Sequence, residues 1–137
     1  LSKTPITLLS DGSPTRTFCY ISDAVRAMFH ILLEGQEGEP YNMGVDQGEI
    51  SMYDLAVKVA DIGAKVMGMN PLKVTREVSK DTEYLTDNPQ RRCPNLRKIR
   101  SQTGYTPQIS LERGIELALR SYLQDTKCEN KKVLNAL

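Results

Sequence analysis

The segment 51–69, SMYDLAVKVADIGAKVMGM, constrains the fold more than any other stretch of the sequence. Its large apolar residues recur at the spacing of one face of an α-helix: Leu55, Val59, Ile62 and Val66. Ser51 and Asp54 resemble a capping box, although Asp is a poorer partner than Glu in that motif. Because a helix with one apolar stripe needs a second layer to cover it, the pattern predicts a helix packed against other elements.

The region before this helix predicts strands followed by a helix. Residues 6–21, ITLLSDGSPTRTFCYI, favour two strands on either side of the Asp-Gly pair at 11–12, a dipeptide typical of tight turns. Ser22 or Asp23 can then cap a helix that continues to Leu33. Its large apolar residues recur at helical spacing: Val25, Met28, Phe29 and Leu32.

Three shorter segments complete the middle of the chain. PYNMGV (40–45) and LKVTREV (72–78) each predict a short strand. SKDTEYLTDNPQRRCP (79–94) predicts a polar loop, and loops of that length are often functional.

The last third of the chain predicts two helices. Asn95 can cap a short helix that ends before Gly104, and Ser110 can begin a final helix. The expected inner face of that final helix consists of Leu111, Ile115, Ala118, Leu119 and Tyr122. Short strands with at least four helices predict an α+β fold.

Composition excludes several classes of protein. A chain of 137 residues suits one small domain or a piece of a larger one. With 18 basic and 17 acidic residues, no overall field attracts it to nucleic acid or to membranes. Tryptophan is absent, which argues against an aromatic platform for single strands. No apolar run reaches the roughly 20 residues that span a bilayer.

The sequence offers little that could perform catalysis alone. Its three cysteines, Cys19, Cys93 and Cys128, have no metal-ligand spacing and predict free thiols in a reducing cytoplasm. His30 is the single histidine and lies in a predicted helix, which favours a structural role. Neither a Gly-x-Gly-x-x-Gly turn nor a Tyr-x-x-x-Lys pair occurs. We therefore expect no catalytic residue and no metal site.

The arginines Arg16, Arg91 and Arg92 are the residues best suited to a binding site. A guanidinium presents a planar fork of donors that matches phosphate oxygens and stays charged at physiological pH. One arginine beside a strand and another in a long loop could hold the two phosphates of a diphosphate. The alternative is an ion pair between Arg16 and Asp23, with the other two arginines merely solvated.

Four motifs in order resemble a known family. DGSPTRTFCYISDAV, PYNMGV, NPQRRCPNLRK and TGYTPQISLERGIELALRSY are similar to the carboxyl-terminal part of extended short-chain dehydrogenases/reductases. The resemblance covers residues 6–123 and is to NAD-dependent nucleotide-sugar epimerases, dehydratases and decarboxylases. It is greatest for UDP-glucuronate decarboxylases and dTDP-glucose 4,6-dehydratases.

The resemblance implies roles for individual residues. Arg16 matches an arginine that contacts the nucleotide diphosphate, and Asn42 matches an asparagine at the nucleotide-sugar pocket. Arg92 falls where an Arg-x-x-Asp motif places a second phosphate arginine, with Arg91 as the neighbouring alternative. Asn95 stands where the family usually has Asp, which removes a negative charge close to Arg92.

The resemblance also implies an organisation and an activity. Residues 1–125 would be the nucleotide-sugar-binding portion of a longer enzyme, followed by a polar tail over 126–137. The catalytic residues and the Rossmann core that binds NAD would lie upstream. The parent enzyme would use NAD to oxidise C4 of a UDP- or dTDP-sugar, giving a transient 4-keto sugar.

Further expectations concern partners and location. The parent enzyme is expected to be a cytoplasmic homodimer that binds neither nucleic acid nor membranes. The portion alone would be inactive and would self-associate through surfaces that the Rossmann core covers. The alternative is a non-enzymatic module that binds nucleotide diphosphates or other partners.

Overall fold

A computed structural model describes residues 4–77 and 89–134, with the side chains of the last helix described as far as Gln124. Within these residues the helices are α1 (Ile21–Glu34), α2 (Met52–Met67), α3 (Arg97–Thr103) and α4 (Leu111–Leu134). The strands are β1 (Ile6–Leu8), β2 (Thr15–Arg16), β3 (Ile50–Ser51), β4 (Val74–Arg76) and β5 (Arg91–Arg92). The predicted α+β class is confirmed. Residues 79–88 of the predicted polar loop lie outside this description.

The strands form two small sheets. β1 pairs in parallel with β4, whereas β2 is the middle strand of a second sheet, antiparallel to β3 and parallel to β5. The two strands predicted around residues 11–12 therefore belong to different sheets. Gly12 separates them at a φ of 78°, where a Cβ atom would lie 2.9 Å from that of Tyr53. Glycine is required there because the backbone is left-handed and the start of α2 lies so close.

Helix α2 begins as the sequence predicts. Ser51 accepts a hydrogen bond from the backbone N–H of Asp54 at 3.0 Å, and its hydroxyl donates to the Asp54 carboxylate at 2.6 Å. The predicted buried stripe is only half-buried, and the fully buried residues are small ones: Ala56, Ala60, Gly63 and Ala64. Small residues face inwards because α4 crosses close to α2, with Leu119 beside Gly63.

The central core lies between α1 and α3. It consists of Ala27, Leu96, Ile99 and Tyr105. His30 also joins the two helices, since its Nδ1 lies 2.8 Å from the carbonyl oxygen of Thr103 and its ring meets Tyr105 edge-on. The structural role predicted for His30 agrees with these contacts.

The apolar residues that recur along α1 are exposed. The exposed fractions of Val25, Met28, Phe29 and Leu32 range from 40% to 77%. The face that packs on α3 carries Asp23, Ala27 and His30 instead. Helical periodicity identifies an apolar stripe correctly, yet it does not reveal whether the chain itself covers that stripe.

Asp23 does not cap α1, which begins after Tyr20 without a side-chain cap. Its carboxylate is 1% exposed and accepts hydrogen bonds from the backbone N–H groups of Gln108 and Ile109 at 2.9 and 2.8 Å. It also pairs with Arg26 at 3.0 Å. A buried carboxylate needs such partners, and through them Asp23 ties α1 to the segment that precedes α4.

The strand predicted over residues 40–45 does not form. This segment is irregular, and Gly44 has a φ of 141°. The Gly44 carbonyl oxygen accepts a hydrogen bond from the buried Tyr105 hydroxyl at 3.1 Å, so its bonding partner is a side chain rather than a neighbouring strand.

The final helix is longer than predicted. Ser110 accepts a hydrogen bond from the N–H of Arg113 and caps α4, as expected. Tyr122 was expected on its inner face but is 66% exposed. The backbone stays helical to Leu134, so the helix extends through most of the predicted polar tail over 126–137. No helix in the described part of the chain is long and apolar enough to cross a membrane.

Replacing Asp23 with Ala should lower the free energy of unfolding by about 2–4 kcal/mol, because it leaves two backbone N–H groups and Arg26 without their acceptor. Urea denaturation followed by circular dichroism measures this change. Asp61→Asn, at an exposed position of α2, is the control and should change stability by less than about 0.5 kcal/mol. Equal effects of the two substitutions would contradict the role of Asp23.

Candidate functional site

The middle strand of the second sheet sets the position of two candidate arginines. Arg16 of β2 is the direct register partner of Arg92 of β5, and Thr15 is the partner of Arg91. Side chains of paired residues in neighbouring strands point to the same face, and successive residues point to opposite faces. Arg16 and Arg92 therefore share one face of the sheet, while Arg91 lies on the other face with Thr15.

Arg91 is already engaged by an acidic residue. Its Nε lies 2.9 and 3.0 Å from the two carboxylate oxygens of Glu49, and its Nη2 lies 2.9 Å from one of them. Glu49 also accepts a hydrogen bond from the Thr15 hydroxyl. The bonds from Thr15 and then from Arg91 lower the pKa of Glu49 from its ordinary value of 4.5. This pair keeps Arg91 from the face that Arg16 and Arg92 share.

Arg92 is the more available of the two adjacent arginines. It is exposed, and among the described residues no side chain pairs with its guanidinium. Its carbonyl oxygen accepts from the N–H of Thr17, which fixes its backbone to β2. The sheet therefore fixes the backbone of Arg92, while its guanidinium faces solvent.

The described contacts of Arg16 and Asp23 differ from the Arg16–Asp23 ion pair that the sequence left open. Arg16 is half-buried, and its Nη1 donates to the carbonyl oxygen of Thr15 at 2.6 Å. The ion pair that Asp23 makes is with Arg26, at 3.0 Å. Asp23 is also committed to two backbone amides, so it serves the fold rather than the orientation of Arg16.

Asn42 lies beside the chain that leaves β5. Its Nδ2 donates to the carbonyl oxygen of Asn95 at 3.4 Å, and a Cβ atom on Gly44 would lie 3.5 Å from Pro94. Asn95 accepts a hydrogen bond from the N–H of Arg97 at 3.0 Å, but it is not the predicted cap, because α3 has Leu96 at its N-cap and no side-chain cap. Asn42 therefore sits next to the segment that follows Arg92.

Sequence analysis missed the residues that hold the loop of Asn42 in place. Arg100 donates two hydrogen bonds to Asp46, at 2.6 and 2.7 Å, and Tyr105 donates to Gly44. The hydrogen bonds from Arg100 lower the pKa of Asp46, whereas burial raises the pKa of the Tyr105 hydroxyl. The sequence signal that could have indicated this role of Asp46 is its position in the segment VDQGE (45–49).

Two of the three cysteines have side chains that the structure describes. Cys19 and Cys93 are free and half-buried, which agrees with the prediction for those two; the side chain of Cys128 lies outside the description. Burial raises the pKa of Cys19, so its thiol stays protonated and is a poor nucleophile. No group of His, Cys, Asp or Glu among the described residues is arranged to hold a metal ion.

Comparison with known proteins bears on the resemblance found in the sequence. The family model described as the NAD dependent epimerase/dehydratase family matches residues 1–44. UDP-glucuronic acid decarboxylase 2 of Arabidopsis thaliana is 32% identical over 124 residues, which make up 90% of this chain and 25% of the relative. These matches support the expected resemblance to the NAD-dependent epimerase/dehydratase family. It spans about a quarter of the length of this relative.

Two solved structures share the fold of the described residues. UDP-glucuronic acid 4-epimerase of Bacillus cereus, in complex with UDP-glucuronic acid and NAD, superposes with a TM-score of 0.70 at 24% identity, over 89% of this chain and 36% of that one. dTDP-glucose 4,6-dehydratase of Bacillus anthracis, in complex with NAD, gives 0.71 at 18% identity, over 90% and 36%. The expected resemblance to decarboxylases and dehydratases is confirmed.

The Asp46–Arg100 pair should make stability depend on pH. Because the folded state lowers the pKa of Asp46, the pair contributes fully above the ordinary value of 3.8 and is lost as pH falls through the lower folded value. We expect Asp46→Asn to cost about 1–2 kcal/mol near pH 7 and progressively less below pH 4. Urea titrations at several pH values measure this difference.

Glu37→Gln, at an exposed position, is the control for this pH series and should follow the wild type throughout. A cost of Asp46→Asn that stays constant between pH 7 and pH 2 would show that the charge of Asp46 is not what stabilises the loop.

Proposed function

We propose that this chain is the nucleotide-sugar-binding part of an NAD-dependent nucleotide-sugar epimerase, dehydratase or decarboxylase, in which Arg16 and Arg92 bind the diphosphate. The observation that carries the proposal is their register pairing on one face of the β2–β5 ladder. The match to the family model and the names of the relatives support the class of substrate.

The diphosphate is the part of the ligand for which these residues are suited. Two guanidinium groups on adjacent strands can each present two parallel N–H donors to a different phosphate group. Both groups are positively charged and would attract the negative charge of a diphosphate. Arg91 is excluded from this role because Glu49 neutralises it on the opposite face.

Asn42 is proposed to contact the nucleotide sugar from the loop beside β5. A side-chain amide both donates and accepts, so it can bond a hydroxyl or a carbonyl without adding charge. The bonds from Arg100 to Asp46 and from Tyr105 to Gly44 hold this loop against α3 before any ligand arrives. A loop held in this way loses less conformational entropy on binding.

NAD, when bound to the parent enzyme, supplies the hydride acceptor for oxidation at the sugar C4, which gives the 4-keto intermediate. The residues here do not fit that cofactor, because no glycine-rich dinucleotide turn occurs in the sequence. We therefore assign to this chain the binding and orientation of the nucleotide sugar, with a uracil or thymine base, and derive no chemical step. The overall reaction would be that of a lyase or an isomerase.

The parent enzyme is proposed to be a cytoplasmic homodimer. The free thiols of Cys19 and Cys93 support a reducing compartment. A non-enzymatic module that binds nucleotide diphosphates remains the second candidate, because the arginine pair can bind a diphosphate without any catalytic residue.

The purified chain should not convert UDP-glucuronic acid or any other UDP- or dTDP-sugar in the presence of NAD, since it carries neither a dinucleotide turn nor a Tyr-x-x-x-Lys pair. Liquid chromatography of the reaction mixture measures conversion. A full-length UDP-glucuronic acid decarboxylase, purified from the same host, is the positive control. Conversion by the chain alone would refute this division of roles.

Arg16→Ala and Arg92→Ala should each weaken UDP binding by about 1.5–3 kcal/mol, the contribution of hydrogen bonds to charged groups. Lysine at either position should restore only part of the affinity, because a point charge cannot reproduce the planar fork. Isothermal titration of UDP against the chain and its variants measures this effect, together with melting curves that report on the fold.

Two further variants make this titration specific. Arg113→Ala removes a partly exposed arginine that pairs with Glu116 on α4 and should leave UDP affinity unchanged. Arg91→Ala should affect affinity less than Arg92→Ala, because Arg91 faces Glu49. A larger loss from Arg91→Ala, or unchanged affinity in Arg16→Ala, would overturn the proposed clamp.

A further inference from the structure

Glu49 joins the three strands of the second sheet on one face. It directly precedes β3, accepts a hydrogen bond from the hydroxyl of Thr15 in β2, and pairs with Arg91 of β5. Nε of Arg91 lies 2.9 and 3.0 Å from the two carboxylate oxygens, and Nη2 lies 2.9 Å from one of them. A guanidinium held through two of its nitrogens is fixed in orientation as well as neutralised.

The sequence places two arginines side by side, so residue type does not decide which of them binds a phosphate group. Arg91 and Arg92 are consecutive in β5, and their side chains point to opposite faces of the sheet. Both carry the same planar fork of donors, so the difference between them lies in their surroundings. Among the described residues, Arg91 has a carboxylate partner and Arg92 has none.

The backbone of β5 alone separates the two arginines only weakly. The strand has two residues and lies at the edge of the second sheet as described. The N–H of Thr17 lies 3.4 Å from the Arg92 carbonyl oxygen, longer than the usual distance of about 2.9–3.0 Å. The side chain of Arg91 is long and 65% exposed, beside an edge that no described strand covers. Without its carboxylate partner, Arg91 could therefore reach the face that carries Arg16.

We propose that Glu49 is a positioning residue that selects Arg92 rather than Arg91 to bind the diphosphate. This inference rests on the proposed function, because it concerns the same pair of binding arginines. By holding Arg91 on the opposite face, Glu49 leaves Arg16 and Arg92 as the two guanidinium groups of the binding face. Glu49 acts through Arg91 and does not contact the ligand, since a carboxylate repels phosphate oxygens.

Two other roles of Glu49 predict different effects on UDP binding. If its negative charge only repelled phosphate from a distance, its removal would strengthen binding whether or not Arg91 is present. If its bonds only stabilised the sheet, its removal would lower the melting temperature and improve binding in no variant. Selection predicts that loss of the Glu49 charge restores binding to a variant that lacks Arg92, and only through Arg91.

Isothermal titration of UDP against the chain and its variants tests the proposal. Arg92→Ala should weaken UDP binding by about tenfold or more, and added Glu49→Gln should recover at least about threefold of that loss, because Arg91 is released to replace Arg92. Glutamine keeps the length of the side chain and an oxygen that can accept from Thr15, so the sheet should stay folded. Melting curves check the fold of every variant.

The matched control also releases arginines from a carboxylate, but on α4. Glu116 pairs with Arg113 at 2.9 Å and with Arg120 at 2.8 Å. Glu116→Gln should therefore recover none of the affinity that Arg92→Ala loses. Should Glu49→Gln fail to fold, Glu49→Asp replaces it: this variant keeps the charge on a side chain one methylene shorter, which weakens the hold on Arg91 and should recover part of the loss.

The triple variant Glu49→Gln, Arg91→Ala, Arg92→Ala should lose the recovery. Recovery that persists without Arg91 would overturn selection and assign the effect of Glu49 to charge repulsion at a distance. Absence of recovery in the folded double variant would overturn it as well. Unchanged UDP affinity in Arg92→Ala alone would instead refute the proposed function and this inference with it, so the two failures are distinguishable.

Discussion

The pairing of β2 with β5 is the constraint on which the candidate site depends. These strands are only two residues long, yet their register places Arg16 beside Arg92 and Arg91 beside Thr15. A shift by one residue would bring Arg91 to the face of Arg16 and turn Arg92 away. Glu49 supports the observed register, since it bonds to both Thr15 and Arg91 on the opposite face. The arrangement of charge therefore follows from the register.

Such short strands need support from elsewhere, and buried polar contacts supply it. Asp23 fixes α1 to the segment before α4, while Tyr105 and Arg100 fix the loop of Asn42 to α3. Each bond joins segments that are distant in sequence and satisfies groups that would otherwise be costly to bury. The site and the exposed α1 face thus lie on a framework that the same contacts hold together.

Local patterns predicted the helices well and their surroundings poorly. The caps at Ser51 and Ser110 depend on neighbouring residues alone, and both form as predicted. The strand over 40–45 depends on which distant segment lies opposite, and that prediction was wrong. Asp is a residue type that often caps helices. The Asp23 carboxylate instead accepts hydrogen bonds from the backbone N–H groups of Gln108 and Ile109, and sequence spacing cannot locate these donors.

The sequence by itself determined the class of fold, the caps of α2 and α4, the family resemblance and the residue types suited to phosphate. These properties follow from local propensity, from short-range hydrogen bonds and from ordered motifs. Only the tertiary structure decided that Arg91 belongs to Glu49, that Arg92 faces solvent and that the apolar stripe of α1 is bare. Each of these outcomes depends on contacts between segments far apart in the chain, whose geometry is fixed only when the whole domain has packed.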